Sequence, residues 1–125
     1  MSDPMYLVKC YDTIKSKPGN MTRGIGRETM DGIDFPWFKG TAQKLRTNQF
    51  KFTIARRTEI TKPHSTKKRP LTIGSPREKI VQRGMQIILQ AIWEGKFLNS
   101  SHGFRPRRSV FTALQELYLK GNSYT

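Results

Sequence analysis

Six basic side chains crowd into fourteen residues: Arg56, Arg57, Lys62, Lys67, Lys68 and Arg69 stand against a single acid, Glu59. Such groups, with little to neutralise them, grip phosphate oxygens. Lysine does so as a point charge and arginine as a two-pronged hydrogen-bonding fork. A second group, Arg105, Arg107 and Arg108, follows His102 and Phe104. Pro106 and a helix start at Ser109 would hold these guanidiniums in place, and a helix N-terminus itself favours phosphate. The ring of Phe104 and the imidazole of His102 are of the kind that stacks on bases or ribose, although Phe104 fits a core position equally well.

The acids point away from catalysis. After residue 34 they are Glu59, Glu78, Glu94 and Glu116, and no two are spaced as a working pair. Two-metal phosphoryl transfer needs paired acids. No Gly-x-x-x-x-Gly-Lys-Ser phosphate loop and no nucleophilic serine or cysteine motif is present. The expectation is a chain with no catalytic residue, no metal ligand and no cofactor of its own. Cys10 is the only cysteine, so it forms no internal disulfide and reads as an inert thiol.

The charge is unevenly distributed. Residues 1–34 hold five bases and five acids, whereas residues 35–125 hold eighteen bases and four acids and so carry the whole net charge of +14. A field of this strength draws polyanions, nucleic acid before membrane. No apolar run approaches the ~18 residues of a membrane helix. The bases sit in a hairpin and loops rather than along an amphipathic helix, which argues against a membrane surface.

The elements that would position these groups follow from periodicity and caps. A first helix is expected over residues 4–16, ended by Lys17, Pro18 and Gly19. Residues 18–34 read as an ordered, glycine-containing loop. Asp34 caps a second helix over 35–47, with Phe35, Phe38, Ala42 and Leu45 on one face. Residues 50–60 alternate as a strand, and Arg69 to Ile73 return, giving a β-hairpin with a cationic tip. Ser75, Pro76 and Glu78 form a capping-box start for a helix running to about 96. Ile80, Val81, Met85, Ile88, Leu89 and Ile92 make its apolar stripe. Ser109 caps a last helix with Val110, Leu114, Leu117 and Tyr118 inward, ended by Gly121 and Asn122. The fold class is therefore α+β, with helices packed around a basic β-hairpin. The modest 35% of hydrophobic residues supports a small core.

Four segments in order, Lys17–Ile25 (KPGNMTRGI), Lys67–Leu71 (KKRPL), Glu78–Gln82 (EKIVQ) and Ser101–Pro106 (SHGFRP), closely resemble the N-terminal part of group II intron-encoded reverse transcriptases, or maturases, of organellar type. The resemblance runs from about residue 15 to 125. It implies an N-terminal extension over residues 1–34 and, over 35–125, the fingers subdomain of a right-hand polymerase. By the same resemblance Lys62 and Arg69 match fingertip bases that meet a nucleotide triphosphate, and Arg105 lies near a template strand. The palm, with its metal-binding aspartates, would lie beyond Thr125. Structured RNA, intron or ribosomal, is the implied partner, with other protein subunits of a ribonucleoprotein beside it. The implied location is mitochondrial, with no presequence evident, as for an organelle-encoded protein; the bacterial cytoplasm is the alternative. Two functions remain open: an RNA-binding ribonucleoprotein component, or the fingers of a split or truncated RNA-directed DNA polymerase that needs a separate palm. The chain departs from the family at Gly24-Ile25-Gly26-Arg27, where Gly-Ile-Asp-Gly is usual. It departs again at Thr61, where proline is usual, and at Ile73-Gly74-Ser75, in place of Ile-Pro-Ser.

Overall fold

A computed structural model describes residues 1–121 of the chain. The described residues form four α-helices and one antiparallel strand pair. The helices are α1 (Pro4–Ile14), α2 (Phe35–Arg46), α3 (Pro76–Trp93) and α4 (Val110–Gly121). The strands are β1 (Arg56–Thr61) and β2 (Lys68–Ile73). A 3-10 turn over Glu94–Lys96 follows α3, so the helix stops three residues short of the expected end. The α+β class is as expected. Asn122, read as part of the last helix's stop, lies outside the described residues. The chain divides into two compact units, Met1–Ile87 and a second from Ile88 onward.

In the first unit, short caps set the helix starts. The Asp3 carboxylate accepts the Met5 N–H at 3.0 Å with Pro4 in the first turn, and Asp34 accepts the Trp37 N–H at 3.1 Å. Each satisfies a backbone donor that has no partner within its own helix. Leu7, Cys10 and Ile14 then fall on one face of α1, and Phe38 and Ala42 on one face of α2. These faces meet through an edge-on contact of Tyr11 with Phe38, ring centres 6.0 Å apart. Met30 from the loop and Ile80 from α3 complete the buried cluster. Phe35, expected on the inner face, is 44% exposed. Tyr6 donates to the Gly84 carbonyl at 2.9 Å, tying α1 to α3. Burial pushes the Cys10 thiol upward, in keeping with an inert role.

The glycine-containing loop is pinned along its length. Asn20 donates to the Ile14 carbonyl at 2.8 Å, Lys79 to the Gly19 carbonyl at 3.1 Å and Arg77 to the Thr29 carbonyl at 3.1 Å. Gly24 lies against the backbone at the end of β2, where an added Cβ would sit 3.2 Å from the Ser75 nitrogen. A bare backbone is what allows that approach.

Four expectations are corrected. The helices do not surround the hairpin: its strands are exposed, apart from half-buried Thr58 and Ile73. Only Ile60, Leu71 and Ile73 among the strand residues carry large apolar side chains, which gives helices little to pack against. In the second unit, the stripe of α4 does not point into a core, since Val110, Leu114, Leu117 and Tyr118 are all more than half exposed. Residues 50–55 also lack a strand partner, so the paired strand begins at Arg56. Glu78 does not close a capping box. Its carboxylate accepts the Thr53 N–H at 2.8 Å and so anchors that unpaired run to the start of α3.

Candidate nucleic-acid interface

The register of the hairpin decides where its bases point. Arg56 pairs with Ile73, Thr58 with Leu71 and Ile60 with Arg69, while Arg57 pairs with Thr72, Glu59 with Pro70 and Thr61 with Lys68. Directly opposed residues share a face of the sheet. Arg56 and Arg69 therefore lie on the face that carries Ile60, Leu71 and Ile73. Arg57 and Lys68 lie on the other, with Glu59. The Lys68 ammonium reaches the Glu59 carboxylate at 3.6 Å, a solvent-exposed pair of the kind that contributes little.

Beyond the last strand pair, the Lys62 N–H donates to the Lys67 carbonyl at 3.1 Å and the Ser65 N–H to the Lys62 carbonyl at 3.2 Å. Ser65 Oγ accepts the Lys67 N–H at 3.1 Å. These bonds close the turn, with His64 in the left-handed region at a φ of 58°. The turn is thus shaped by backbone and Ser65, which leaves its lysines unengaged. All residues from Glu59 to Thr72 are exposed. Among the described residues, Arg56, Arg57, Lys62, Lys67 and Arg69 have no acidic partner. Lys62, Lys67 and Arg69 thus gather as free cations at the turn end of the hairpin, while Arg56 and Arg57 stand at its open end.

The arginine loop of the second unit is built differently. The Arg105 side chain is only 8% exposed. Its Nε and Nη2 donate to the Glu94 carboxylate at 3.1 and 3.0 Å, and its Nη1 donates to the carbonyls of Leu98 and Ser101 at 2.8 and 2.9 Å. Arg105 also lies over the Phe97 ring at 5.3 Å. The expectation that it faces phosphate gives way to an internal brace, because its donors are already engaged. Arg108 donates to the Asn99 carbonyl at 2.5 Å and is half-buried. Arg107 is exposed, at a φ of 59°.

His102 is likewise held within the unit. Its ring nitrogens meet Thr112 Oγ1 at 3.0 Å and the Glu116 carboxylate at 2.7 Å, and its side chain is 12% exposed. This leaves little of the imidazole for stacking. The hydrogen bonds from Lys120 and then from His102 hold the Glu116 carboxyl below its usual range. Phe104, in contrast, is fully exposed at a φ of 57°, so the core reading of that ring does not hold. Ser109 Oγ accepts the Thr112 N–H at 3.5 Å, and Thr112 Oγ1 accepts the Ser109 N–H at 2.9 Å, a reciprocal start to α4.

Sequence reasoning passed over one further feature of the first unit. Residues 49–54, the loop at Gly24–Gly26, one flank of α2 and the start of α3 enclose a groove of about 820 Å³. Phe50, Phe52, Lys44 and Lys51 line it. The aromatic-basic alternation at 50–52 was the available signal, but it reads equally well as a half-buried strand.

No family model matches the chain. It is 46% identical over 114 residues, 91% of its length, to the COX1/OXI3 intron 2 protein of Saccharomyces cerevisiae. The identity is again 46% over 114 residues with a 91 kDa protein in the cob intron of Schizosaccharomyces pombe. With the group II intron-encoded protein LtrA of Lactococcus lactis it is 38% over 107 residues, 86% of the chain. The chain spans 13%, 14% and 18% of the length of these three relatives.

Proposed function

Because the chain belongs to the group II intron-encoded proteins, we propose that it is an RNA-binding module of that family, gripping structured RNA through the tip of its β-hairpin. The observation that carries this reading is the set of exposed, acid-free cations along the hairpin: Lys62, Lys67 and Arg69 toward the turn, with Lys68 beside them, and Arg56 and Arg57 at the open end. Backbone phosphates are the chemistry those groups fit. Arg107, and Phe104 beside it, offer a second, smaller contact. Arg105, Arg108 and His102 shape that loop rather than meet RNA. Intron RNA is the first partner on this reading, and ribosomal RNA in an organellar ribonucleoprotein the second, with residues 35–125 as the binding part. The mitochondrial location belongs to the same proposal, supported by relatives encoded in COX1 and cob introns; the Lactococcus relative supports a bacterial setting.

Filter binding of the purified chain to a structured intron transcript tests the reading. Between 50 and 200 mM salt, log K should fall linearly with log salt, with a slope near −0.9 for each phosphate contacted. Affinity that is absent at low salt, or indifferent to salt, would sink it.

A second reading draws on the same family membership and on the small share of each relative that the chain spans. In it the chain acts as the fingers of an RNA-directed DNA polymerase, completed by a palm. Primer extension on an RNA template by the chain plus a relative's palm separates the two, since a binding module adds no extension to the palm alone.

A further inference from the structure

We propose that the apolar stripe of α4 is a homodimer interface, on which a second copy of this chain seats its own α4 in the antiparallel sense. The stripe shares no residue with the hairpin, so the pairing stands apart from RNA binding.

The second unit has no interior of its own. Among its described residues, Ile88 to Gly121, none is buried, whereas the first unit buries Leu7, Cys10, Met30, Phe38 and Ile80. On α4, Val110, Leu114, Leu117 and Gly121 follow at steps of four, three and four, the spacing of a seam between packed helices. Phe111 and Tyr118 flank that seam on one side. All five large side chains are more than half exposed, Phe111 at 82%. The opposite side of the helix is used within the unit, since Thr112 and Glu116 hold the His102 ring at 3.0 and 2.7 Å. The polar side of α4 is therefore anchored and the apolar side left open.

The stripe is complementary to its own reverse. Turned antiparallel about a two-fold axis between Leu114 and Leu117, it sets Leu114 against Leu117 of the second copy and Val110 against Gly121, a larger residue facing a small one. Phe111 then lies beside Tyr118 of the second copy, an aromatic pair on one flank. No charge falls in the seam. Glu116 and Lys120 neutralise each other within one helix, and Lys120 passes Ala113 rather than a like charge. Residues 35–87 hold thirteen bases and two acids, residues 88–125 five and two, so most of the repelling charge lies outside the second unit. The antiparallel sense also brings exposed Arg107, just ahead of an α4 with no acid in its first turn, to the carbonyl end of the other α4, where a cation is favoured. The five apolar side chains expose on the order of 600 Å² per chain. A pair would bury about 1,200 Å², the lower bound for a specific, stable interface.

Sedimentation equilibrium of the full chain, from about 1 to about 200 μM, measures the pairing. A monomer–dimer equilibrium with Kd on the order of 10 μM is expected for so small an interface. Salt should tighten it severalfold between about 0.05 and about 0.5 M, because screening relieves repulsion between two cationic chains, whereas RNA binding weakens over the same range. Leu114→Glu with Leu117→Glu should leave monomer throughout, a weakening of at least about twentyfold. Both side chains are exposed, so an unchanged urea midpoint at about 1 μM, where the parent is also monomeric, shows the variant folded. Register is read by mixing Leu114→Cys chains with Leu117→Cys chains in a glutathione redox buffer. The mixed disulfide should outpace either homotypic one, and Cys10, being buried, takes no part. Monomer at every concentration overturns the proposal, whether or not another polypeptide, such as a relative's palm, then covers the stripe. Open-ended assembly overturns it too, since a two-fold contact closes on itself. So does a dimer that survives the double glutamate variant, one that weakens with salt, or a homotypic disulfide that forms as fast as the mixed one.

Discussion

Alanine at Lys67, Lys68 and Arg69 together is expected to lower affinity for a structured RNA by roughly two orders of magnitude at 0.1 M salt and to flatten the salt slope by up to about 2.7. The physical basis is counterion release: each phosphate neutralised by a protein cation frees a condensed ion, worth about 0.9 in slope on a duplex. The loss should be uniform across RNA sequences, since phosphate contacts position a strand without reading it. The fold should survive. All three side chains are exposed, and the turn is closed by the Lys62–Lys67 backbone bond and Ser65 rather than by any of them. Lys68 has a local partner in Glu59, so the single Lys68→Ala change should have the smallest effect of the three. Filter binding over a salt series measures both quantities, and an unchanged slope would move the RNA contact away from the tip.

Arg105→Ala should act in the opposite sense, on stability rather than on RNA. Its guanidinium joins the Glu94 carboxylate to the carbonyls of Leu98 and Ser101 in a half-buried setting. Truncation strands those acceptors and opens a void beside Phe97. Loss of a hydrogen-bonded charged group of this kind costs about 2–3 kcal/mol, discounted here because Glu94 is one-third exposed. Urea unfolding should show that loss, while the salt slope of RNA binding stays within experimental scatter. A phosphate-gripping Arg105 would do the reverse, with stability nearly unchanged and the slope flatter by about 0.9. Arg105→Lys should recover only part of the stability, because an ammonium lacks the planar fork that spans carboxylate and carbonyls.

These contrasts show what was legible in the residues. Asp34 before an apolar period, and Pro76 after Ser75, place α2 and α3 to within a few residues, because caps and proline act locally. Asp3 before Pro4 carried the same signal for α1. The hairpin was legible as well, since a polar run at residues 63–68 separates the alternating residues 50–60 from Arg69 to Ile73, although Lys68, read as turn, already belongs to β2. What failed shares one cause. Periodicity tells which face of α4 is apolar, but not whether another element covers it, and the described residues leave Val110, Leu114 and Leu117 exposed. Residue type likewise says that Arg105 can bind phosphate. Whether its donors are already engaged depends on Glu94, eleven residues away, and on two carbonyls placed by the loop. Glu78 was read as a cap from its local spacing, but its partner is Thr53, twenty-five residues away. Local signals were legible and long-range pairings were not.

The central claim, that RNA meets this chain at the hairpin tip, is tested most directly by ultraviolet crosslinking of the full chain to a structured intron RNA, followed by mass-spectrometric mapping of the attached peptides. The account predicts crosslinks concentrated between Arg56 and Ile73, abolished in the Lys67, Lys68, Arg69 alanine variant. Crosslinks confined to α1 or α4, with the hairpin unmarked and the triple variant crosslinking as before, would contradict it.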